Sequence, residues 1–228
     1  MTSPAAARKR QQRATRPKHS RGEQARQLIL EATLRVIARG GHRSITHRAV
    51  AAEAGINFSL VNYYFRGLDD LLLQAFEHVT ERGRPAIEST WQEVWASLAP
   101  SQRGDLRRRD RRESLCRRLT DIAVRYVSHQ SREYPEGLVL EMTALYDTNI
   151  NPRLRELAHR YRADLAERFQ TLCEQLGSRQ PALDGQMLLG TLQRLEYESV
   201  SNPALIESGT LAEQLHRQFA WIINLPDR

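Results

Sequence analysis

The chain is short of cysteine and of long apolar runs, and each shortage removes a class of function. Two cysteines occur in 228 residues, Cys116 and Cys173, far apart and without metal-type spacing. A disulfide-stapled secreted fold and a cysteine-based zinc site are set aside, and both thiols read as small core residues in a reducing compartment. No apolar run approaches ~18 residues, so no membrane span is expected. The N-terminal MTSPAAARKRQQRATRPKHSR has no apolar stretch after its basic residues and does not read as a secretory signal, so a cytoplasmic location is expected. Gly-rich phosphate loops, His-x-x-x-His or Cys-x-x-Cys pairs and a Gly-x-Ser-x-Gly elbow are all missing. His42 and His47 are five apart, which poorly suits one helical face. No catalytic residue, metal or cofactor is assigned, and an all-helical enzyme is the less favoured alternative.

Acidic side chains are nearly missing from one end. Residues 1–30 hold eight Lys and Arg against Glu23 alone, so the other 26 of the 34 basic residues face 26 of the 27 acidic ones. The whole net charge of +7 therefore sits in the first thirty residues. Such an arm neutralises phosphates and releases condensed counterions without specifying a sequence. A merely solubilising tail has the same composition. If the arm alone made the function, the protein would be a nonspecific nucleic-acid binder.

What remains reads as helices separated by short punctuation, with no strand-like alternation and no repeat. The first helix spans about 22–39, with Leu28, Ile29, Ala32, Val36 and Ile37 on one side and Gly40-Gly41 to end it. A helix from Asp69-Asp70 carries Leu72, Phe76 and Val79 and serves as a connector over 69–84. Beyond Pro85, stripes follow at Ile87, Trp91, Val94, Trp95 and Leu98, at Leu115, Leu119, Ile122 and Tyr126, and at Leu138, Met142 and Leu145. Asn151 as N-cap, Pro152 in the first turn and Gly177 past the end bound a long helix, about 38 Å at ~1.5 Å per residue. Its face holds Leu154, Leu157, Tyr161, Leu165, Phe169, Leu172 and Leu176. Leu188, Leu192 and Leu195 mark the next helix. The last one opens on Thr210 and Glu213, a capping-box spacing, before Leu211, Leu215, Phe219 and Ile222. The segment from Ser101 to Leu119 holds eight arginines interleaved with Asp105, Asp110 and Glu113, the pattern of a solvated loop and helix start.

The stretch THRAVAAEAGINFSLVNYYF, residues 46–65, carries the functional signal. Thr46 can cap a helix whose narrow face is Val50, Ala51 and Ala54. Gly55 can end it in the left-handed conformation. Asn57 can cap a second short helix, with Ile56 and Val61 at the staple positions. A helix, a glycine turn and a second helix make a helix-turn-helix, whose second member lies in the DNA major groove. If Ile56, Val61 and Phe65 pack inward, Phe58, Ser59, Asn62 and Tyr63 face outward. Asn and Ser suit base edges, and tyrosine hydroxyls suit phosphate oxygens.

Thr46-x-Arg48-x-Val50-Ala51, Ala54-Gly55-Ile56, Val61-Asn62-Tyr63-Tyr64-Phe65 and Leu71-Leu72 together resemble the signature of the TetR (tetracycline repressor) family of bacterial transcription regulators. The resemblance covers about residues 22–80. It implies an all-α protein: a basic arm (1–21), a three-helix DNA-binding head (22–68) and a larger ligand-binding and dimerisation domain (69–228). It places Thr46 and Tyr63 at phosphates and Phe58, Ser59, Leu60 and Asn62 at bases, with Arg48, Asn57 and Tyr64 completing the candidate DNA-binding set. Three positions depart from the family pattern. Tyr64 stands where histidine is usual, Asn62 where tyrosine is frequent, and Leu68 where a lysine usually holds the DNA backbone.

The same resemblance implies partners: a double-stranded palindromic operator, a small-molecule effector and a second copy of the chain. It puts a pocket among the middle helices, for which Trp91, Trp95, Tyr126, Glu141, Met142 and Tyr146 are candidates, each equally able to be core. Glu141 falls on the inward stripe between Leu138 and Leu145; it can anchor a cationic or hydroxylated ligand, or pair with an arginine. It also puts the dimer interface on the last two long helices, with Leu188, Gly190, Leu192, Leu195, Phe219 and Ile222 as candidates and intrachain core as the alternative. The expected function is a repressor released from its operator by the effector.

Overall fold

The computed structural model describes the backbone of residues 18–99 and 106–225, and side chains from residue 22 on, His42 excepted. Residues 1–17 of the basic arm and Asp105 therefore lie outside the described residues. The chain divides into two compact units, the first ending at Ala75 and the second beginning at Phe76. Every regular element among the described residues is helical.

In the first unit, α1 (Lys18–Gly40) begins four residues before the expected start at 22. It ends on Gly41, at φ 68°, whose amide reaches the Ile37 carbonyl at 2.8 Å. Ile29, Ala32 and Ile37 are buried as expected, but Leu28 is not. Leu30, Thr33 and Leu34 are buried too, and they centre the apolar arc on the side opposite Leu28. The buried Thr33 hydroxyl donates to the Ile29 carbonyl at 2.8 Å, so burial leaves it satisfied. A 3₁₀ turn, His42–Ser44, leads to α2 (His47–Ala54) and then α3 (Phe58–Tyr64). Glu53 on α2 holds Arg35 and Arg39 of α1, both at 2.7 Å, which fixes the rotation of α2 against its neighbour.

Helix α4 (Leu68–Leu98) runs without a break through Pro85, where the connector was expected to stop at 84. Proline cannot donate to the carbonyl four residues back. That residue, Glu81, is exposed, as Pro85 is, so water can take the freed carbonyl and the apolar face continues undisturbed. Leu71, Leu72 and Ala75 are buried in the first unit. The division between the units therefore falls inside this helix rather than at residue 68.

The second unit adds α5 (Arg109–Glu133), α6 (Pro135–Tyr146), α7 (Pro152–Leu176), α8 (Pro181–Ser201), α9 (Ala204–Glu207) and α10 (Thr210–Ile222) to the rest of α4. From Leu106 on, the arginine-rich segment is a turn and helix start, with Arg108–Asp110 at 3.1 Å and Arg109–Glu113 at 2.8 Å. On α7, Asn151 accepts from the Arg153 amide at 2.8 Å and Gly177 caps the other end at φ 83°. The capping box expected on α10 is not formed. Gly209 occupies the cap in the left-handed conformation, and the Ser208 hydroxyl takes the Thr210 amide at 3.3 Å. The helix starts one residue too early for Thr210 to cap it. One core joins Trp91 and Val94 of α4 to Leu119 of α5, Leu188 and Leu195 of α8 and Leu215 of α10. At Gly185 the neighbour is backbone itself: a Cβ would meet the Gln170 amide nitrogen at 2.7 Å and the Phe169 carbonyl carbon at 2.9 Å. The glycine lets α8 lie directly on the α7 backbone.

Candidate functional site

The reading helix of the first unit is set by local chemistry. The Thr46 hydroxyl accepts from the Ala49 amide at 3.0 Å and starts α2. Gly55 ends it at φ 66°, a conformation that costs a residue with a Cβ and suits glycine. The Ile56 amide then closes back on the Ala51 carbonyl at 3.0 Å. Asn57 Oδ1 accepts from both the Ser59 amide and the Ser59 hydroxyl at 2.9 Å and starts α3. Val61 (0 % exposed) and Phe65 (1 %) then anchor α3 from below, each burial contributing roughly 1.5–3 kcal/mol.

With those two residues inside, the opposite face of α3 is fixed. Phe58 is 43 % exposed and Tyr63 79 %, and Ser59 and Asn62 are exposed beside them. The structure thus brings Phe58, Ser59, Asn62 and Tyr63 onto one open face, with Arg48 exposed on α2 and Leu60 half-buried. Tyr64 is half-buried. Its ring meets that of Tyr63 edge-on at 5.1 Å, and its hydroxyl lies 3.4 Å from where a Cβ on Gly22 would stand. Thr46 and Asn57 are exposed, and in this structure their side-chain oxygens are engaged as helix caps.

Behind α3 a polar relay fixes the turn into α4. Asp70 accepts from the Arg66 amide at 2.9 Å and from Gln74 at 2.6 Å, and Gln74 in turn accepts from Arg26 of α1. Partial burial alone would raise the Asp70 carboxyl. The Arg66 amide and Gln74 outweigh it and hold the group below its ordinary value. Sequence reading missed this relay, although Asp70 and Gln74 share the i, i+4 spacing that brings side chains together on a helix.

The second unit encloses a cavity of about 100 Å³. Trp91 and Phe169 meet edge-on at 5.0 Å on one wall, and Phe76 and Tyr161 at 6.1 Å on another. Its polar groups are concentrated: Tyr126 and Gln130 of α5, Glu141 of α6, and Gln193 and Glu196 of α8 all line it. Gln193 donates to Glu141 at 2.8 Å. Glu196 is 5 % exposed, and its Oε1 has no hydrogen-bond partner among the described residues; Gln193 Oε1 and Gln130 Nε2 are buried and unpartnered as well. Neither carboxyl is in an ion pair among the described residues.

Burial pushes the Glu196 carboxyl well above the usual carboxylate range; the neighbouring Glu141 adds to the rise and the Tyr126 hydroxyl eases it. Burial also raises Glu141, eased by Gln193, by the Tyr197 hydroxyl and by Arg162. Tyr197 lies close to Glu141 without an aligned hydrogen bond. Burial raises the Tyr126 and Tyr161 hydroxyls too, so both stay neutral donors at neutral pH. The two cysteines are core residues. Burial pushes Cys116 up to about 11 and Cys173 up to about 12, so neither is a thiolate at neutral pH, even with His216 Nδ1 3.4 Å from Cys116.

Of the pocket residues expected from the sequence, Trp91, Tyr126 and Glu141 line the cavity, while Trp95, Met142 and Tyr146 do not. Trp95 stacks on Trp91 at 5.4 Å from the solvent side. Met142 is 39 % exposed because it follows Glu141 and so turns off the inward stripe. Tyr146, the last residue of α6, is 58 % exposed. Glu196 went unassigned although its position, four beyond Leu192 on an apolar stripe, marks it as inward. The expected interface residues Leu188, Leu192, Leu195, Phe219 and Ile222 are all buried in the chain's own core. Gly190, taken as a close-approach point, has open space where a Cβ would stand. The apolar side chains left exposed on these helices are Leu183, Met187 and Trp221, at 51 %, 54 % and 75 %.

Residues 29–75 match the family model described as bacterial regulatory proteins, tetR family. A curated relative, the HTH-type transcriptional regulator PksA of Bacillus subtilis (strain 168), is 38% identical over 66 residues, which are 29% of this chain and 32% of that protein. The match thus spans about a third of the relative's length. Among solved structures, a TetR-like transcriptional regulator from Rhodococcus sp. RHA1 superposes with a TM-score of 0.61 at 16% identity, covering 89% of this chain and 97% of that one. The multidrug binding protein EbrR, complexed with imidazole, gives 0.54 at 21% identity over 89% and 96%. At these identities the structural likenesses show the fold, and the head carries the sequence relationship. The sequence relationship to the TetR family of bacterial regulatory proteins is thus carried by the N-terminal head, residues 29–75.

Proposed function

We propose that the protein is a sequence-specific DNA-binding transcriptional regulator, a repressor released from a palindromic operator by a small molecule. The observation that carries the reading is the outer face of α3, where Phe58, Ser59, Asn62 and Tyr63 stand exposed over a buried Val61 and Phe65. Tyr63 meets only the edge of Tyr64 and stays 79 % exposed, so core packing does not account for it. Asn62 and Ser59 would read base edges, with Phe58 against a thymine methyl, while Tyr63, Tyr64, Thr46 and Arg48 would fix the register on phosphates. The basic arm, residues 1–21, would add a salt-dependent, sequence-independent increment.

Two half-sites one DNA turn apart, about 34–36 Å, call for two heads. We infer a homodimer, with Leu183, Met187 and Gly190 in one row on α8, and Trp221 on α10, as the surface that pairs. The cavity of the second unit would take the effector. EbrR, a structural neighbour, is described as a multidrug binding protein, which supports an effector pocket here. Ligand would then favour a conformation unsuited to the operator. Such a protein works where the chromosome is, in the cytoplasm; among the described residues no helix is long and apolar enough to cross a membrane.

The test is footprinting on the DNA flanking the protein's own gene, with unrelated DNA as competitor. A protected palindrome that resists a large excess of competitor is the expected result. Protection that spreads evenly and disappears with competitor would mean nonspecific binding through the arm.

A further inference from the structure

The cavity's polar groups point to the chemistry of what enters it. Glu141 on α6 and Glu196 on α8 face the same space, and Gln193 stands one turn from Glu196 and bonds Glu141 at 2.8 Å. Two carboxyls share a buried apolar site and neither is in an ion pair among the described residues, Arg162 acting on Glu141 only from beyond ion-pair distance. An unpaired buried acceptor is destabilising, because it has lost water and gained no donor. A fold that carries one such acceptor on Glu196, with unpartnered amide atoms on Gln193 and Gln130, leaves uncompensated hydrogen-bonding capacity in one small volume. Around it stand the faces and edges of Trp91, Phe169, Phe76 and Tyr161, surfaces that attract a desolvated cation.

We propose that Glu141 and Glu196 anchor an organic monocation with an apolar body, held between the two carboxyls and the aromatic walls. This rests on the reading of the cavity as the effector site. A space of about 100 Å³ takes a compact cationic head. A longer body must part the ring walls, which is the conformational step that regulation needs.

A proton is coupled to this binding. The groups that face the carboxyl pair are Tyr126 from α5, Tyr161 and Arg162 from α7, and Gln193 and Tyr197 from α8. Arg84 and Arg168 act only on Tyr161 from further out, and Arg168 is occupied by Glu88 at 2.7 Å. With the tyrosines neutral, the pair itself is what titrates. Burial favours its protonated form when the cavity holds no charge, and an entering cation favours the ionised form. Binding therefore expels about one proton, and affinity rises with pH by up to tenfold per unit while the carboxyl is still protonated.

The experiment uses the full chain without DNA and two probes of the same shape, benzyltrimethylammonium and the neutral neopentylbenzene. Neither probe titrates, so any pH dependence belongs to the protein. Tryptophan fluorescence reads binding, and calorimetry in two buffers of different ionisation enthalpy counts protons. The cation should bind at least tenfold tighter than its isostere at pH 8, lose affinity as the pH is lowered through the range where the raised carboxyl takes up its proton, and release about one proton there. Glu196→Gln and Glu141→Gln should each cost the cation about tenfold and flatten its pH dependence. Unchanged affinity for neopentylbenzene in both variants would show the cavity intact. Equal affinity for the two probes, no proton release, unaffected variants, or no binding of either probe would overturn the site. Operator release is read separately. A cation that binds with proton release but leaves operator affinity unchanged would keep the site and remove its regulatory role.

Discussion

The head and the body of this protein place their functional groups under opposite conditions. On α3 the candidate reading side chains are in water, and the caps that shape the helix are satisfied within three residues of themselves. In the second unit the polar groups are buried, far apart in sequence, and partly unpartnered. An exposed side chain waiting for DNA costs folding almost nothing, so the head can be both rigid and ready. A buried carboxyl outside any ion pair costs stability, and the proposed ligand would relieve that cost, so the body is biased towards change. In the proposed function one region would recognise by preformed geometry and the other by relief of an electrostatic cost.

The largest effect should come from attacking the head's rigidity. Phe65→Ala removes a ring that is 1 % exposed beneath α3, and a Phe→Ala change in a core costs about 3–5 kcal/mol. Circular-dichroism melting should show early loss of helix, and specific DNA binding should vanish. Tyr63→Ala, at 79 % exposure, should shift melting by less than about 0.5 kcal/mol and weaken binding to all DNA sequences alike. If both variants melt alike, the division of α3 into an anchoring and a reading face is wrong.

Next in size is the packing of the body, where α8 carries its own control. Gly185→Ala would put a methyl 2.7 Å from the Gln170 amide nitrogen, and backbone cannot give way as a side-chain tip can. A loss of about 1–3 kcal/mol in denaturant midpoint analysis is expected. Gly190→Ala on the same helix meets open space and should be neutral, or stabilise by up to about 1 kcal/mol through helix propensity. A loss of dimer in Gly190→Ala, measured by light scattering, would instead mark that row as tightly closed against a second copy.

At the reading face, Asn62→Ala should relax base preference at one operator position, a discrimination of about 1–3 kcal/mol, while leaving affinity for unrelated DNA unchanged. Binding measured on a set of single-base operator variants checks this. Uniform loss across the set would reassign Asn62 to the phosphates.

The same contrast explains what could be read before the structure. Thr46, Gly55 and Asn57 act on neighbours one to three residues away, so the turn, both caps and the inward set Val61 and Phe65 follow from spacing alone. The outward face of α3 follows from the inward one. Glu141 was placed inward by its stripe, but its partner Glu196 is 55 residues further on, and no local rule pairs them. Met142 and Trp95 were misplaced because an apolar residue beside a stripe looks like part of it. Leu188 and Leu195 were offered to a partner because one sequence cannot say whether a helix stripe packs on its own chain or on another copy. The uninterrupted α4 depended on Pro85 lying on the water side, which its identity does not reveal.

The smallest expected effect is a slope, and it bears on the buried side of the comparison without any ligand. Glu196 and Glu141 both have folded-state carboxyls raised above the ordinary 4.5, first by burial. Between that unfolded value and the raised folded one, the native chain binds more protons than the unfolded chain. Stability therefore falls as pH rises through this window and levels off above it. For each group the slope cannot exceed about 1.4 kcal/mol per pH unit. Glutamine at 196 keeps the shape and removes the titration, so Glu196→Gln should lose less stability than the parent between pH 5 and pH 8. Urea unfolding at several pH values measures this. The paired carboxylates elsewhere act in the other direction: Glu53, held low by Arg35 and Arg39, gains its stabilising charge as pH rises. Because Glu53 belongs to the head and Glu196 to the body, separate probes of the two units should show the head holding its stability across the same pH range in which the body loses some. A body that holds level with the head would mean the cavity carboxyls are solvated, and the electrostatic cost that distinguishes the two regions would not exist.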